Sequence, residues 1–146
     1  MNKLYVATLL AGLALGAQAQ SVEVTQAWAR ATVPGQSATG VFAHFKAPVD
    51  ARLVGVSTPA AGIAQVHEMK MVGDVMQMRE LEGGLALPAG QEVALTPGGQ
   101  HIMLMQLHQA LPVGSKVPVE LRFVDAKGHA SVVKLEVPVQ MAPPKP

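Results

Sequence analysis

Residues 116–139 read KVPVELRFVDAKGHASVVKLEVPV, and this stretch decides the fold class. Val117, Val119, Leu121 and Phe123 alternate with Pro118, Glu120 and Arg122. After the turn residues Ala126-Lys127-Gly128-His129 the alternation returns, with Val133, Leu135 and Val137 set against Lys134 and Glu136. A period of two marks a strand with one buried and one wet face, because successive strand side chains point to opposite sides. Proline lacks the amide donor that a central strand needs, so Pro118 and Pro138 predict edge positions for this pair.

Outward from this pair the same signals repeat toward the N-terminus. Further β-rich runs cover Val22–Thr32, Gly40–Lys46, Ala51–Ser57, Gln65–Met71, Val75–Leu81, Glu92–Leu95 and His101–Leu107, which with Lys116–Val124 and Ser131–Val139 make nine. Between them stand Gly- and Pro-rich separators such as Val33-Pro34-Gly35-Gln36, Val72-Gly73-Asp74, Leu87-Pro88-Ala89-Gly90 and Thr96-Pro97-Gly98-Gly99. Glycine supplies positive φ and proline presets turns, so the punctuation has a mechanism. No helical stripe is sustained. Short strands at this spacing predict an all-β, Greek-key sandwich or barrel in one domain.

The 146 residues are 49% hydrophobic and 14% charged, which excludes a disordered chain. Formal net charge is +1 with no basic run, so a phosphate-binding surface has no electrostatic footprint and nucleic acid is not an expected partner. Cysteine is absent, which removes disulfides, thiolate zinc sites, iron–sulfur clusters, Cys nucleophiles and blue-copper centres. Met1-Asn2-Lys3, the apolar run Leu4–Gly16 and Ala17-Gln18-Ala19 form the charged start, apolar core and small-residue cleavage site of a secretory signal peptide. The run is too short to span a bilayer, which takes about 20 helical residues. The expected organisation is a signal peptide over 1–19, a β-sandwich over 20–141 and a flexible tail over 142–146. The mature protein is then expected to be soluble in the periplasm, without stable membrane insertion and without a cysteine to carry a lipid.

The chemistry concentrates in methionine and histidine. Six of eight methionines lie between Met69 and Met105. If the runs are strands, His67, Met69 and Met71 share one face, Met76 and Met78 share one, and His101, Met103 and Met105 share a third. The turn at Val72-Gly73-Asp74 makes the first two a hairpin, across which Glu68 and Arg79 could pair. Thioether sulfur is soft and neutral and imidazole is a general copper ligand, so the combination suits Cu(I). Zinc usually takes thiolate, imidazole and carboxylate and calcium takes oxygen, whereas the only carboxylate beside the first of these residues, Glu68, should face away from His67 as its strand neighbour. Methionine is also a common core filler, so a metal-free extracytoplasmic β-sandwich binding module stands as the alternative. No G-x-S-x-G, H-E-x-x-H or phosphate-binding glycine loop is present, and an enzyme is not expected. A copper oxidase would need a more open, harder site than methionines provide.

The residues also resemble the periplasmic copper chaperones of the PCu(A)C family, whose pattern is approximately H-x10-M-x21-H-x-M. Here ten residues separate His67 from Met78, and 22 separate Met78 from His101-Ile102-Met103. The one extra residue falls in a segment containing Gly83-Gly84 and Pro88-Ala89-Gly90, where a loop absorbs it at small cost. Ala27-Trp28-Ala29-Arg30-Ala31-Thr32, Val66-His67-Glu68-Met69, Pro97-Gly98-Gly99-Gln100-His101-Ile102-Met103-Leu104 and Leu111-Pro112-Val113-Gly114 are similar too, and the likeness covers most of 22–140. The resemblance implies a cupredoxin-like Greek-key β-sandwich binding one Cu(I) through His67, Met78, His101 and Met103. It also implies exchange with copper-donating or copper-receiving periplasmic proteins, among them the binuclear copper centre of cytochrome oxidase. Met69, Met71, Met76 and Met105 are read as a hydrophobic rim or core, and His44, His108 and His129 as ordinary histidines. Only His129 and Met141 lie near the C-terminus, so no second copper site is expected there. Trp28 is expected in the core or as a lid beneath the first strand.

Overall fold

The computed structural model describes residues 22–145; the expected signal peptide over 1–19 lies outside the described residues, as does Pro146. Ten strands form: β1 (Glu23–Arg30), β2 (Ala38–Lys46), β3 (Ala51–Ser57), β4 (Ala61–Val72), β5 (Val75–Glu80), β6 (Leu85–Leu87), β7 (Glu92–Ala94), β8 (His101–Leu107), β9 (Lys116–Asp125) and β10 (Ala130–Gln140). Among the described residues there is no helix. The all-β expectation therefore holds.

Hydrogen bonding follows one path, β5-β4-β8-β2-β1-β10-β9-β3-β6, with β7 joined to β2. Every pairing is antiparallel except β1 with β10, which meet only at Ala29↔Val139 and Arg30↔Gln140. That short parallel joint lets the sheet fold over on itself into two layers. Phe45 of β2 meets Phe123 of β9 edge to face across the layers, with ring centroids 6.1 Å apart. Around them Val41, Ile102 and Leu104 from one layer and Leu53, Val117, Val119, Leu121 and Val137 from the other are buried. The alternation read over 116–139 is realised: Val117, Val119, Leu121 and Phe123 are all buried, while Pro118 and Arg122 are exposed.

Three expectations need correction. Pro118 and Pro138 do not mark edge strands, since β9 lies between β10 and β3 and β10 between β1 and β9. Both prolines sit where the ladder has already run out on one side. The β3 register with β9 stops at Ser57↔Glu120, and β1 reaches β10 only from Val139 onward. Leu85–Leu87 is a strand rather than loop, pairing with β3 through Leu53↔Leu85 and Ala51↔Leu87. Three residues are too few to show a period. β4 begins four residues early, at Ala61, where Ala61-Gly62-Ile63-Ala64 carries little side-chain signal.

β1 also contains a bulge. Thr25 pairs with His44 but Trp28 pairs with Phe42, so Gln26 and Ala27 together oppose Ala43, with Gln26 at φ 51°. The extra residue reverses the strand's parity. Val24 before the bulge and Ala29 after it face the core, and Trp28 is swung to the outer face, where it is nonetheless buried.

Phe45→Ala removes the central inter-layer contact. It should lower the unfolding free energy by about 3–5 kcal/mol, read as an earlier denaturant midpoint. A loss below about 1 kcal/mol would show that the layers do not depend on this packing.

Candidate metal centre

The site is built on the β4–β8 pair. Val66 pairs with Ile102 and both side chains enter the core, with Leu104 of β8 beside them. Their burial fixes the register, because a one-residue slip would carry them to solvent. The outward residues are thereby fixed as well. His67 stands directly opposite His101, and Gln65 opposite Met103. The two imidazole centroids are 5.9 Å apart at 53°.

The β4–β5 hairpin adds sulfur to this face. Met69 pairs with Met78, and the Met78 side chain reaches past β4 to place Sδ 3.1 Å from His101 Nε2. His101 Nδ1 is 2.9 Å from the carbonyl oxygen of Gly99. A carbonyl only accepts, so the ring proton sits on Nδ1 and neutral His101 turns a bare Nε2 lone pair toward a sulfur that has only lone pairs to offer. His67 Nε2 donates to Gln65 Oε1 at 3.0 Å, which leaves Nδ1 as a bare acceptor, buried and unpartnered. Such an orphan costs about 1–3 kcal/mol in a structure that offers it nothing. His101 Nε2 and Met78 Sδ therefore face each other without a proton between them, and the His67 ring, 5.9 Å from His101 between centroids, carries a second bare nitrogen. A cation between nitrogen and sulfur would satisfy the His101–Met78 pair.

Of the four residues singled out from the sequence, Met78 and His101 are in contact and the His67 ring stands opposite His101. Met103 shares their face by register, half-buried one row along β8 between Gln65 and Gly40. Among the described residues no three His, Cys, Asp or Glu side chains gather as a metal-holding group, so a site here draws on sulfur.

Beneath His101 lies an aromatic column. Phe42 is 6.4 Å from the His101 ring, Trp28 stacks on Phe42 at 4.8 Å, and the Arg30 guanidinium lies 5.8 Å from the Phe42 centroid. Phe42 folds back over Gly40, where a Cβ would come within 2.8 Å of its ring. Sequence reasoning missed Phe42 and Gln65 as supports. The i+2 spacing of Gln65 from His67 was the available signal for one of them. Trp28 is a lid component on the outer face, outside the interior cluster.

The remaining histidines stand apart. His44 pairs with Glu92, His129 with Asp125, and His108 is exposed after β8. The Glu68–Arg79 pair forms at 2.8 Å on the opposite face of the hairpin from His67.

A family model described as "Putative lipoprotein LpqE-like" matches residues 22–139. "Putative lipoprotein Lxx21020" of Leifsonia xyli subsp. xyli is 39% identical over 124 residues, 84% of this chain and 72% of that protein. Among solved structures, the copper-bound PCuAC domain from PmoF2 superposes with a TM-score of 0.61 at 22% identity, covering 84% of this chain and 97% of that domain. The solution structure of CuI-DR1885 from Deinococcus radiodurans gives 0.56 at 30% identity, covering 85% and 83%. The fold is thus the cupredoxin-like sandwich of the PCuAC domains.

Burial holds the His67 pKa below its ordinary 6.5, helped by the neighbouring His101 and opposed by Glu80, its register partner on β5. The native state then binds fewer protons at His67 than the unfolded chain just below pH 6.5, so stability is lost as pH falls through that window. In metal-free protein, imidazole resonances should show His67 titrating below 6.5. The unfolding free energy should decline from about pH 7 toward about pH 5, and His67→Gln should flatten that decline. A His67 midpoint above 6.5 would contradict this account.

Proposed function

This chain belongs to the LpqE-like family, the PCu(A)C-like family of copper-chaperone domains, and on that premise we propose that it is an extracytoplasmic copper carrier. It takes one Cu(I) between His67, Met78, His101 and Met103. The reading rests on one contact above all: His101 Nε2 facing Met78 Sδ at 3.1 Å, with the bare His67 ring beside it. The copper-bound PCuAC domain and CuI-DR1885 among the structural relatives support it. So does the exposure of Met78, at 46%, because a methionine acting as core filler would be buried.

The chemistry follows from the donor types. Imidazole nitrogens supply the stronger bonds and compete with protons, so binding weakens in acid. Thioether sulfurs do not titrate in the working range and favour a soft monovalent cation over zinc. All four ligands are neutral, so the ion keeps its own charge and is held without thiolate. An acceptor bearing thiolates can then take it by ligand exchange, one bond forming as another breaks. The fixed proton on His101 Nδ1 and the Gln65 bond to His67 hold both rings in their binding orientation, as partners behind metal-ligating histidines do elsewhere.

The expected route is export through a cleaved signal peptide to the periplasm, with the binuclear copper centre of cytochrome oxidase as one acceptor. No cysteine is present in these 146 residues to carry a lipid. The chain acts as a carrier rather than a catalyst.

Anaerobic titration should show one tight Cu(I) equivalent, and X-ray absorption of the loaded protein should count nitrogen and sulfur neighbours together. His101→Ala should weaken Cu(I) binding by orders of magnitude while leaving the circular dichroism of the fold unchanged. Near-native affinity in that variant would remove His101 from the site.

A further inference from the structure

Resting on the copper reading above, we propose that the tip of the β4–β5 hairpin is a second, weaker soft-metal site, where Met71 and Met76 hold one Cu(I) between two thioethers and pass it along Met69 and Met78 to the histidine pair.

The turn geometry places these residues directly opposite each other. Val72 pairs with Val75 around Gly73 and Asp74, and Gly73 has φ 62° while Asp74 has none of the positive φ that a I′ turn would require. This is the pattern of a II′ turn, which suits a two-residue hairpin. The pair flanking such a turn is hydrogen-bonded, and pairs alternate along an antiparallel ladder. Met71↔Met76 and Met69↔Met78 therefore both occupy non-hydrogen-bonded positions, where opposing Cα atoms are about 4.5 Å apart and side chains come closest. The result is two facing pairs of thioethers on one side of the hairpin, continuous with His67 and His101.

Core packing does not account for them. Met71 is 55% exposed and Met76 51%, and every residue of β5 is exposed. The two faces of the hairpin are also chemically sorted. Glu68, Lys70, Gln77 and Arg79 occupy the opposite face, with Glu68 and Arg79 paired at 2.8 Å. On the methionine face the strands carry one carboxylate, Glu80, at the inner end opposite His67. Along the methionine face of the strands a soft cation thus meets sulfur at the outer pair and nitrogen plus sulfur at the base. Two neutral thioethers bind more weakly than a site that adds two imidazoles, so the gradient runs inward. The ion stays Cu(I) throughout. Each inward step breaks a bond from copper to one sulfur and forms one to the next, with no electron transferred and no proton displaced.

The test uses Ag(I) as a redox-inert stand-in and protein labelled at the methionine methyl groups. The first equivalent should shift the Met78 and Met103 methyl signals, and further Ag(I) should shift Met71 and Met76 together. In Met71→Leu, the Met76 signal should return to its metal-free position. The double variant Met71→Leu/Met76→Leu should still show the first-equivalent shift of Met78, and should take Cu(I) from a chromogenic chelator complex severalfold more slowly to the same end point. If Met78 responds but Met71 and Met76 do not, or if Met76 still shifts alone in Met71→Leu, there is no tip site. If the double variant loads as fast as the parent, the tip is no relay. If instead Met78 and Met103 are silent, the copper reading itself falls, and the tip proposal with it.

Discussion

The burial of Val66 and Ile102 on facing strands is the constraint from which the rest of the site follows. Strand side chains alternate with a period of two, so pinning these two into the core leaves no freedom in what the next residues do. His67 and His101 must face outward, and the β4–β8 register must set them opposite one another. The two histidines are 34 positions apart in the chain, yet their meeting costs no special feature. It is a by-product of packing Val66, Ile102 and Leu104 against the second layer.

The second requirement is that the rings be held still, and here one irregular residue matters. Without the bulge at Gln26, the parity of β1 would turn Trp28 into the core and leave Phe42 uncovered. With it, Trp28 lies on Phe42 and Phe42 supports His101. Gly40 completes the arrangement by leaving the space into which the Phe42 ring folds. Aromatic packing on the outer face therefore does for the histidine what a second layer does for a core residue. It excludes water from one side and fixes the orientation, so that only 9% of His101 remains exposed.

Most of the fold was legible because alternation is a strong signal wherever a strand has one wet face. The run over 116–139 shows it clearly, and parity put His67 with Met69, Met76 with Met78 and His101 with Met103, each on one strand face, while the choice of His67, Met78, His101 and Met103 as one set came from the PCu(A)C resemblance. What was not legible was of two kinds. Leu85–Leu87 and the Ala61 end of β4 are too short or too small-featured to display a period. The bulge, the interior position of β9 and β10, and the role of Phe42 depend on which strands become neighbours, and parity within a strand carries no such information. Pro118 misled for the same reason. Its missing donor matters only on the side where a neighbour pairs, and β3 ends at Ser57, before reaching it.

The site divides into a rigid half and a loose half, and that division suits a carrier better than a permanent holder. His101 is anchored by the core strand β8, by Gly99 and by Phe42. Met78 sits on β5, an edge strand with every residue exposed and therefore with little buried area to resist local opening. The orphaned His67 Nδ1 and the lone-pair contact between His101 and Met78 are unfavourable as they stand, and under the proposed copper reading a bound cation would relieve the second of them. Binding would thus draw on a histidine side already in place and have only the edge-strand sulfur to order. Withdrawal of one sulfur on an edge strand would undo part of that gain without disturbing Val66 or Ile102. On the copper reading proposed above, an acceptor that displaces Met78 would compete first with the ligand on the least buried strand, while the histidine pair would keep its geometry for the next ion.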